Sequence, residues 1–376
     1  MVRRITLVIH SLQGGGAERV AAAMVNHWAQ TDKEVTLLTL GSTNDDAYAI
    51  DENVRRVSLS VLKQSTGLFD GLFNNIGRIR RLRRAVRDSK PDVVISLVDR
   101  TNILTLLACK GLGLKVIVCE RTDPRHHNIG RSWSILRRIS YRKCQSLVVQ
   151  TTGVAEYARQ SICKTRPVYV LPNPVLSEPS NETEQPPGTT DNHRYVVALG
   201  RLVPAKGFDR AIGAFGLIAD KHPNWSLRIL GEGPLRPNLQ EQINELNLAD
   251  RVSLPGWVDD PIAHLGASHL YLLSSHFEGF PNALLEAMAC GLPVVSFNCE
   301  SGPAEIVRDG VNGVLVPQDD VKALAAAMDR VISDEELRKK FAHNATEVKS
   351  RFSREMFFRR WDAILNGMPV PDYEGL

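Results

Sequence analysis

Two carboxylates and two cations stand out in this 376-residue chain because of the segments that carry them. Glu278 and Glu286, with seven residues between them, lie in Ser274-Ser275-His276-Phe277-Glu278-Gly279-Phe280-Pro281-Asn282-Ala283-Leu284-Leu285-Glu286. An apolar run at 270–273 leads in, Gly279-Phe280-Pro281 turns the chain, and the pattern predicts a helix from Asn282 that Gly291 and Pro293 end. Glu278 then stands at the helix mouth and Glu286 about two turns inside. A helix N-terminus offers N–H groups and partial positive charge to a phosphate. Carboxylates beside such an anion site have hydroxyl groups, from ribose or sugar, as their natural partners. Arg201 and Lys206 fall on Gly200-Arg201-Leu202-Val203-Pro204-Ala205-Lys206-Gly207, after another apolar run. There they suit a diphosphate, the arginine as a fork and the lysine as a point charge.

A third segment, Gln13-Gly14-Gly15-Gly16-Ala17-Glu18-Arg19, follows the first apolar run and opens a helical pattern. Its glycines let backbone pass close to a ligand, with helix N–H groups behind. It is neither a Walker loop nor a G-x-G-x-x-G fingerprint, because Arg19 stands where the third glycine would be. Taken alone it fits a tight strand–helix turn equally well.

The elements that must position these groups alternate. Short apolar runs at 5–9, 35–40, 93–97, 116–119, 146–150 and 168–171 read as strands, with helical patterns at 17–30, 77–89, 103–110 and 153–161 between them. The polar stretch 173–193 reads as a linker, and the pattern then restarts. Strands are expected at 195–199, 226–230, 252–254, 270–273, 294–297 and 313–315, and helices at 208–221, 234–246, 282–289, 303–308, 321–333 and 337–351. The expectation is α/β: two Rossmann-like, doubly wound parallel-sheet domains. The first spans 1–172 and the second 194–351. The closing segment 352–376, with Met356, Phe357, Phe358, Trp361, Ile364 and Leu365 on one face, is expected to cross back onto the first domain.

The net charge of +4 conceals an asymmetry. Residues 1–172 hold 27 Lys+Arg against 14 Asp+Glu, a net of +13, and residues 173–376 hold 19 against 28, a net of −9. A basic first half suggests an anionic partner for that half. Arg80, Arg83, Arg84 and Arg87 share a helix face, and Arg131, Arg137, Arg138, Arg142 and Lys143 form a second cluster with Trp133 and Ile135 nearby. Both suit an anionic membrane surface or a pyrophosphate carrier, against the plain alternative of solvated helix faces. No basic patch interleaved with aromatics points to nucleic acid. The six cysteines form no C-x-x-C pair and read as a reduced, cytoplasmic set. The apolar run near the first residue is too short for a leader and is expected to be a strand. The pairs Asp45-Asp46, Asp259-Asp260 and Asp319-Asp320 sit in polar turns, and no metal site is expected from them.

Taken together and in order, the three ligand-type segments resemble the retaining glycosyltransferases of the GT-B fold, in particular the GT4-type family. The resemblance implies that Arg201 and Lys206 grip a nucleotide diphosphate and stabilise the leaving group. It implies that Glu278 holds the donor sugar beside Gly279, Phe280, Pro281, Asn282 and Ala283, and that Glu286 accepts from the ribose. Gly15 and Gly16 would approach the diphosphate, and the backbone at Val258 would meet the base. On the acceptor side the resemblance is looser. Many relatives carry a functional histidine where this chain has Glu120-Arg121-Thr122-Asp123, so Asp99, Asn102, Arg121, Asp123, His126 and His127 are the candidates. The implied activity moves a hexose or N-acetylhexosamine, such as GalNAc, from a UDP-sugar to a polyprenyl-diphosphate-linked oligosaccharide or similar glycan, with retention and without a metal or other cofactor. The implied place is the cytoplasm, peripheral on the inner membrane. Two other readings stay open: a nucleotide-sugar epimerase on the same fold, and a non-catalytic membrane-surface scaffold with a relict donor site.

Overall fold

The computed structural model describes residues 2–43, 46–61, 68–177 and 193–371, with side chains at 68–74 left aside. Most of the expected linker lies outside the described residues. The chain forms two compact units, residues 1–173 with 355–372, and residues 174–354 with 373–376.

The first unit is built on seven parallel strands among the described residues, in the order β3-β2-β1-β4-β5-β6-β7. These are β1 (Arg4–Ile9), β2 (Glu34–Thr39), β3 (Arg55–Ser58), β4 (Val93–Leu97), β5 (Lys115–Cys119), β6 (Ser146–Val149) and β7 (Val168–Val170). Helices α1 (Gly16–Ala29), α2 (Leu68–Asp88), α3 (Asp99–Cys109), α4 (Arg131–Ser140) and α5 (Thr152–Tyr157) make the crossovers. The central strands are buried apart from the exposed first residues Arg4 and Lys115, which is why they read as unbroken apolar runs.

Two elements carried no such signal. Strand β3 is an edge strand whose residues begin Arg55-Arg56, so charge hides it. Helix α4 turns a cation, Arg137, inward and leaves Ile135 and Ile139 exposed, so its apolar residues do not mark a core face. The expected helix over 77–89 begins earlier, at Leu68, and the one over 153–161 ends at Tyr157 in a single π turn, closed by the Cys163 N–H donating to the Ala158 carbonyl at 2.7 Å.

The second unit has six parallel strands in the order β10-β9-β8-β11-β12-β13. They are β8 (Arg194–Leu199), β9 (Trp225–Leu230), β10 (Val252–Gly256), β11 (Leu270–Leu273), β12 (Val294–Asn298) and β13 (Gly313–Pro317). Around them lie α6 (Phe208–Gly216), α7 (Arg236–Glu245), α8 (Pro261–Gly266), α9 (Asn282–Ala289), α10 (Pro303–Ile306), α11 (Val321–Ser333), α12 (Glu335–Ala345) and α13 (Val348–Arg351). One face of the sheet packs on α6 and α11 through Phe215, Leu227 and Met328, and the other on α9 through Leu284, Leu285 and Met288. The acidic pairs have structural work. Asp260 and Asp320 accept from the Ala263 and Ala323 N–H groups at 3.0 and 2.9 Å, capping α8 and α11. Asp46 pairs with Arg56 at 3.0 Å.

The last helix, α14 (Arg354–Asn366), belongs to the first unit by its packing. Trp361 meets Trp28 of α1 edge-on at 5.8 Å, and Phe358 stacks on His27 at 3.5 Å. The Val2 N–H donates to Asn366 at 3.2 Å. No helix among the described residues is long and apolar enough to cross a membrane. Trp361 is fully buried, so Trp361→Ala should destabilise the first unit by about 3–5 kcal/mol. Urea unfolding followed by hydrogen exchange at α1 should show that loss there and little change in the second unit.

Candidate active site

In both sheets the strand order reverses beside the first strand of the unit, between β1 and β4 and between β8 and β11. At such a reversal the loops leave neighbouring strands toward opposite faces and open a crevice at the carboxyl ends. In the second unit the two loops are those holding Lys206 and Glu278. They are tied to each other by main chain: the His276 N–H donates to the Ala205 carbonyl at 2.9 Å, and the Ser274 hydroxyl to the Lys206 carbonyl at 3.0 Å. Arg210, buried in α6, donates to the Ser274 carbonyl at 2.7 Å, lies over the Phe297 ring at 4.7 Å and pairs with Asp319. Gly207 adopts φ +57°, and a Cβ there would collide with that same carbonyl, so the turn requires glycine.

These ties set the Lys206 ammonium 2.7 Å from Glu278 Oε1, which also accepts from the Ser275 hydroxyl at 2.6 Å. Glu278 is 8% exposed and Glu286, inside α9, is 3% exposed. Both charges bear on the buried Tyr271, whose hydroxyl is held well above its ordinary range, first by burial and then by Glu278 and Glu286. Arg201 is exposed on the loop after β8. Around Glu278 the turn is braced from behind: the Ser301 hydroxyl donates to the Gly279 carbonyl at 3.3 Å, and Gly302, at φ +102°, sits where a Cβ would be 2.6 Å from Pro281 Cδ. Phe280 packs edge-on against Phe352 at 5.7 Å. Helix α9 begins at Asn282, so the N–H groups of its first turn, Asn282 and Ala283 among them, point out of its mouth. Val258 packs with Ala283 against the same apolar cluster. Glu232 is structural: it grips Arg236 at 2.7 Å, and Arg236 donates to the Leu254 carbonyl at 2.9 Å.

Sequence reasoning missed Ser275, Ser274, Arg210 and Tyr271. Ser274 and Ser275 stood in view beside Glu278. Tyr271 and Arg210 had no sequence signal, because their roles depend on which loops β8 and β11 bring side by side.

In the first unit the crevice between β1 and β4 holds a cavity of about 320 Å³ lined by His10, Arg78, Asp99, Arg100, Thr101 and Trp133 among others. Val98 enters α3 at φ +75°, a costly conformation for a β-branched residue, and turns Asp99 toward this cavity. Asp99 lies 3.2 Å from His127 Nε2. Burial pushes the Asp99 carboxyl up, but bonds from His127 and the Arg100 N–H outweigh it and leave the carboxyl below its usual range. His127 is raised in turn, chiefly by Asp99. At the glycine loop Glu18, a residue not anticipated, folds back over Gly15 and reaches His10 at 3.1 Å, so a carboxylate stands at the mouth of α1 beside Gly15 and Gly16.

The other acceptor-side candidates divide. His126 is exposed. Asn102 is fully buried and donates to the Cys119 carbonyl at 2.9 Å and to Tyr141 Oη at 3.0 Å, so it braces α3 rather than facing the crevice. Arg121 is buried and donates to Asn173 at 2.7 Å. Asp123 is buried too, with both carboxylate oxygens held by Arg125. Of the helical arginines, Arg80, Arg84 and Arg87 are exposed, whereas Arg83 donates to the Ala108 and Lys110 carbonyls at 2.7 Å and caps the C-terminus of α3.

Residues 15–174 match the family described as glycosyl transferase 4-like domain, and residues 180–348 the family described as glycosyl transferases group 1. A Campylobacter jejuni enzyme, named as the α-1,4-N-acetyl-D-galactosaminyltransferase that acts on a GalNAc-containing diNAcBac-PP-undecaprenol, is 27% identical over 361 residues, 95% of this chain and 97% of that protein. Sucrose-phosphate synthase from Thermosynechococcus elongatus superposes with a TM-score of 0.84 at 17% identity, over 97% of this chain and 98% of its own. The Anabaena protein HepE, in complex with UDP-glucose, does so at 0.77 and 18%, over 98% and 100%. These two likenesses bear on fold alone. The fold they share with this chain is the two-domain, Rossmann-like GT-B architecture.

The acidic centre of the first unit has a pH signature. Glu120 accepts from Tyr141 Oη at 2.6 Å and lies 3.7 Å from Arg137. Burial pushes its carboxyl up to about 7 against the pull of Arg137, with Asp99 adding to the rise. A carboxyl raised on folding stabilises fully below its unfolded pKa and loses that contribution as pH rises through the folded one, here from about 4.5 to about 7. His127, also raised, loses its contribution over the upper part of the same range and beyond. Asp99, lowered, contributes evenly above roughly pH 4. The first unit should therefore lose stability from pH 5 to 8, and Glu120→Gln should flatten that slope in pH-resolved urea unfolding.

Proposed function

This chain belongs to the GT4-type glycosyltransferases of the GT-B fold, and we propose that it moves a hexose or N-acetylhexosamine from a UDP-sugar to a polyprenyl-diphosphate-linked oligosaccharide or similar glycan. The observation that carries the donor half is the crevice between β8 and β11, where Lys206, Glu278 and the mouth of α9 converge with Arg201 at the rim. Breaking the bond between sugar and diphosphate builds negative charge on the leaving phosphate. A fixed ammonium, a guanidinium and the N–H groups of a helix mouth stabilise that charge without reorganising at the moment of reaction. In the proposed roles Lys206 exchanges Glu278 for phosphate, Arg201 folds onto the diphosphate, and Glu278 turns to a sugar hydroxyl with Ser275 still holding one oxygen. Glu286 takes the ribose, Gly279 to Ala283 present backbone to sugar and phosphate, and Val258 presents backbone to the base. Gly15 and Gly16 let first-unit backbone come close to a phosphate, which requires Glu18 to move aside.

With two cations and a helix mouth for the diphosphate, the proposed reaction needs no metal, and it retains configuration at the transferred carbon. The acceptor half rests on the Campylobacter relative, whose acceptor is undecaprenol-linked, and on the basic first half with Arg80, Arg84 and Arg87 exposed. GalNAc is the sugar to try first for the same reason, and UDP the nucleotide because a fold neighbour was solved with UDP-glucose. Such an acceptor places the protein at the cytoplasmic face of the inner membrane, against anionic lipid.

Thermal unfolding against UDP, GDP, ADP and the common UDP-sugars, in EDTA, tests the donor class. A bound ligand at a hundred times its dissociation constant should stabilise by about 2.7 kcal/mol. The expected shift comes with UDP and one UDP-sugar and not with GDP or ADP; a flat panel would contradict the reading. Lys206→Ala and Arg201→Ala should each lower kcat by about 10²–10³. Parent-like turnover by the folded Lys206→Ala variant would remove that lysine from the chemistry.

A further inference from the structure

Helix α4 exposes aliphatic side chains that a surface helix has no reason to show. Ile135 and Ile139, one turn apart, are 58% and 59% exposed, and Leu136 beside them is 38% exposed. Three of the large apolar side chains exposed among the described residues thus fall within five positions of one helix. The helix is not loose. Its inner face is anchored by Arg137, 5% exposed and 3.7 Å from Glu120, by the buried Ser140, and by Trp133, over which Arg100 lies at 5.6 Å. At 100° per residue, positions 133, 137 and 140 share the inner side, and positions 131, 135, 138, 139 and 142 share the outer one. The aliphatic stripe is therefore bordered along one side by Arg131, Arg138 and Arg142, all exposed, with Lys143 in the following turn. Residues 124–155 hold six cations and no Asp or Glu.

An apolar stripe bordered by cations, with no acidic residue in the same stretch of chain, fits an interface where hydrocarbon lies just beneath negative charge. We propose that α4 is the membrane-inserting element of this protein, with Ile135, Leu136 and Ile139 entering the acyl boundary of an anionic bilayer and Arg131, Arg138, Arg142 and Lys143 meeting its headgroups. The occupant is lipid rather than protein because the charge bordering the stripe is of one sign only. The proposal rests on the lipid-linked acceptor reading and sharpens it: Trp133, on the same helix, lines the cavity that holds Asp99 and Arg100. The helix that enters the bilayer is thereby a wall of the crevice, and a carrier's head group would leave the lipid surface directly beside it. This makes α4 the inserting element, while Arg80, Arg84 and Arg87 of α2 are left to attract headgroups and Arg83 is committed to the end of α3.

The test is flotation of the full chain with vesicles of phosphatidylcholine containing about 30% phosphatidylglycerol, and with phosphatidylcholine alone. The parent should float with the anionic vesicles. Ile135→Ser/Ile139→Ser should lower the bound fraction at least tenfold at an unchanged thermal midpoint, and Arg80→Ala/Arg84→Ala/Arg87→Ala by much less. Ile139→Trp should be quenched by lipids brominated along the acyl chain. Parent-like flotation of the serine variant, or absence of quenching, would overturn insertion through α4. A parent that ignores both vesicles yet sediments as a dimer that the serine variant dissolves would overturn it in favour of a second copy of the chain. UDP binding, measured on the same samples, separates the two levels: its absence in the parent would sink the donor reading and leave the flotation result to stand by itself.

Discussion

Everything in the second unit converges on keeping an ammonium and a carboxylate within 2.7 Å at the carboxyl ends of two neighbouring strands. Strands β8 and β11 are far apart in sequence and adjacent in the sheet, so neither loop can set the pair alone. The ties between them are mostly main-chain carbonyls gripped by a serine, an arginine and a backbone N–H, which leaves the functional side chains uncommitted to holding the loops in place. The contact keeps Glu278 and Lys206 mutually compensated. A diphosphate offers the lysine a stronger anion, and a sugar hydroxyl offers the glutamate a donor, so a nucleotide-sugar satisfies both at once. A nucleoside diphosphate without its sugar satisfies only one.

The first unit spends its buried polar groups differently. Glu120, Tyr141, Asn102 and Arg137 form a hydrogen-bonded and ionic cluster beneath the β1/β4 crevice, joining β5, α3 and α4. Asp99, paired with His127, stands at the cavity wall beside Arg78 and Arg100. Arg137 thus has two consequences: it compensates a buried carboxylate, and by turning inward it fixes the rotation of α4 that leaves Ile135 and Ile139 exposed.

The sequence made the two-sheet architecture legible because buried parallel strands leave unbroken apolar runs, and β1, β4, β8, β11 and β12 stand close to where those runs fall. Helix α9 was legible to the residue, since Pro281 and Gly291 bound it. The donor loops were legible through spacing and through family resemblance together. What was not legible depends on long-range pairing. Asn102, Arg121 and Asp123 have polar side chains near strand ends, as ligand-binding residues do, and only the packed structure shows them consumed by Tyr141, Asn173 and Arg125. Helix α4 escaped because it buries a cation, Arg137, and exposes Ile135 and Ile139, the reverse of the pattern that marks a core-facing helix. Glu18 escaped because a helix-forming residue in a first turn gives no hint that it will fold back over a glycine.

The central claim is that Glu278 serves the sugar and Lys206 the diphosphate. Calorimetric titration of the Glu278→Gln and Lys206→Ala variants with UDP and with the cognate UDP-sugar tests it directly. The account predicts that Glu278→Gln weakens the UDP-sugar while leaving UDP nearly unchanged, and that Lys206→Ala weakens both. Equal losses for the two ligands in Glu278→Gln, or no loss of UDP in Lys206→Ala, would contradict it.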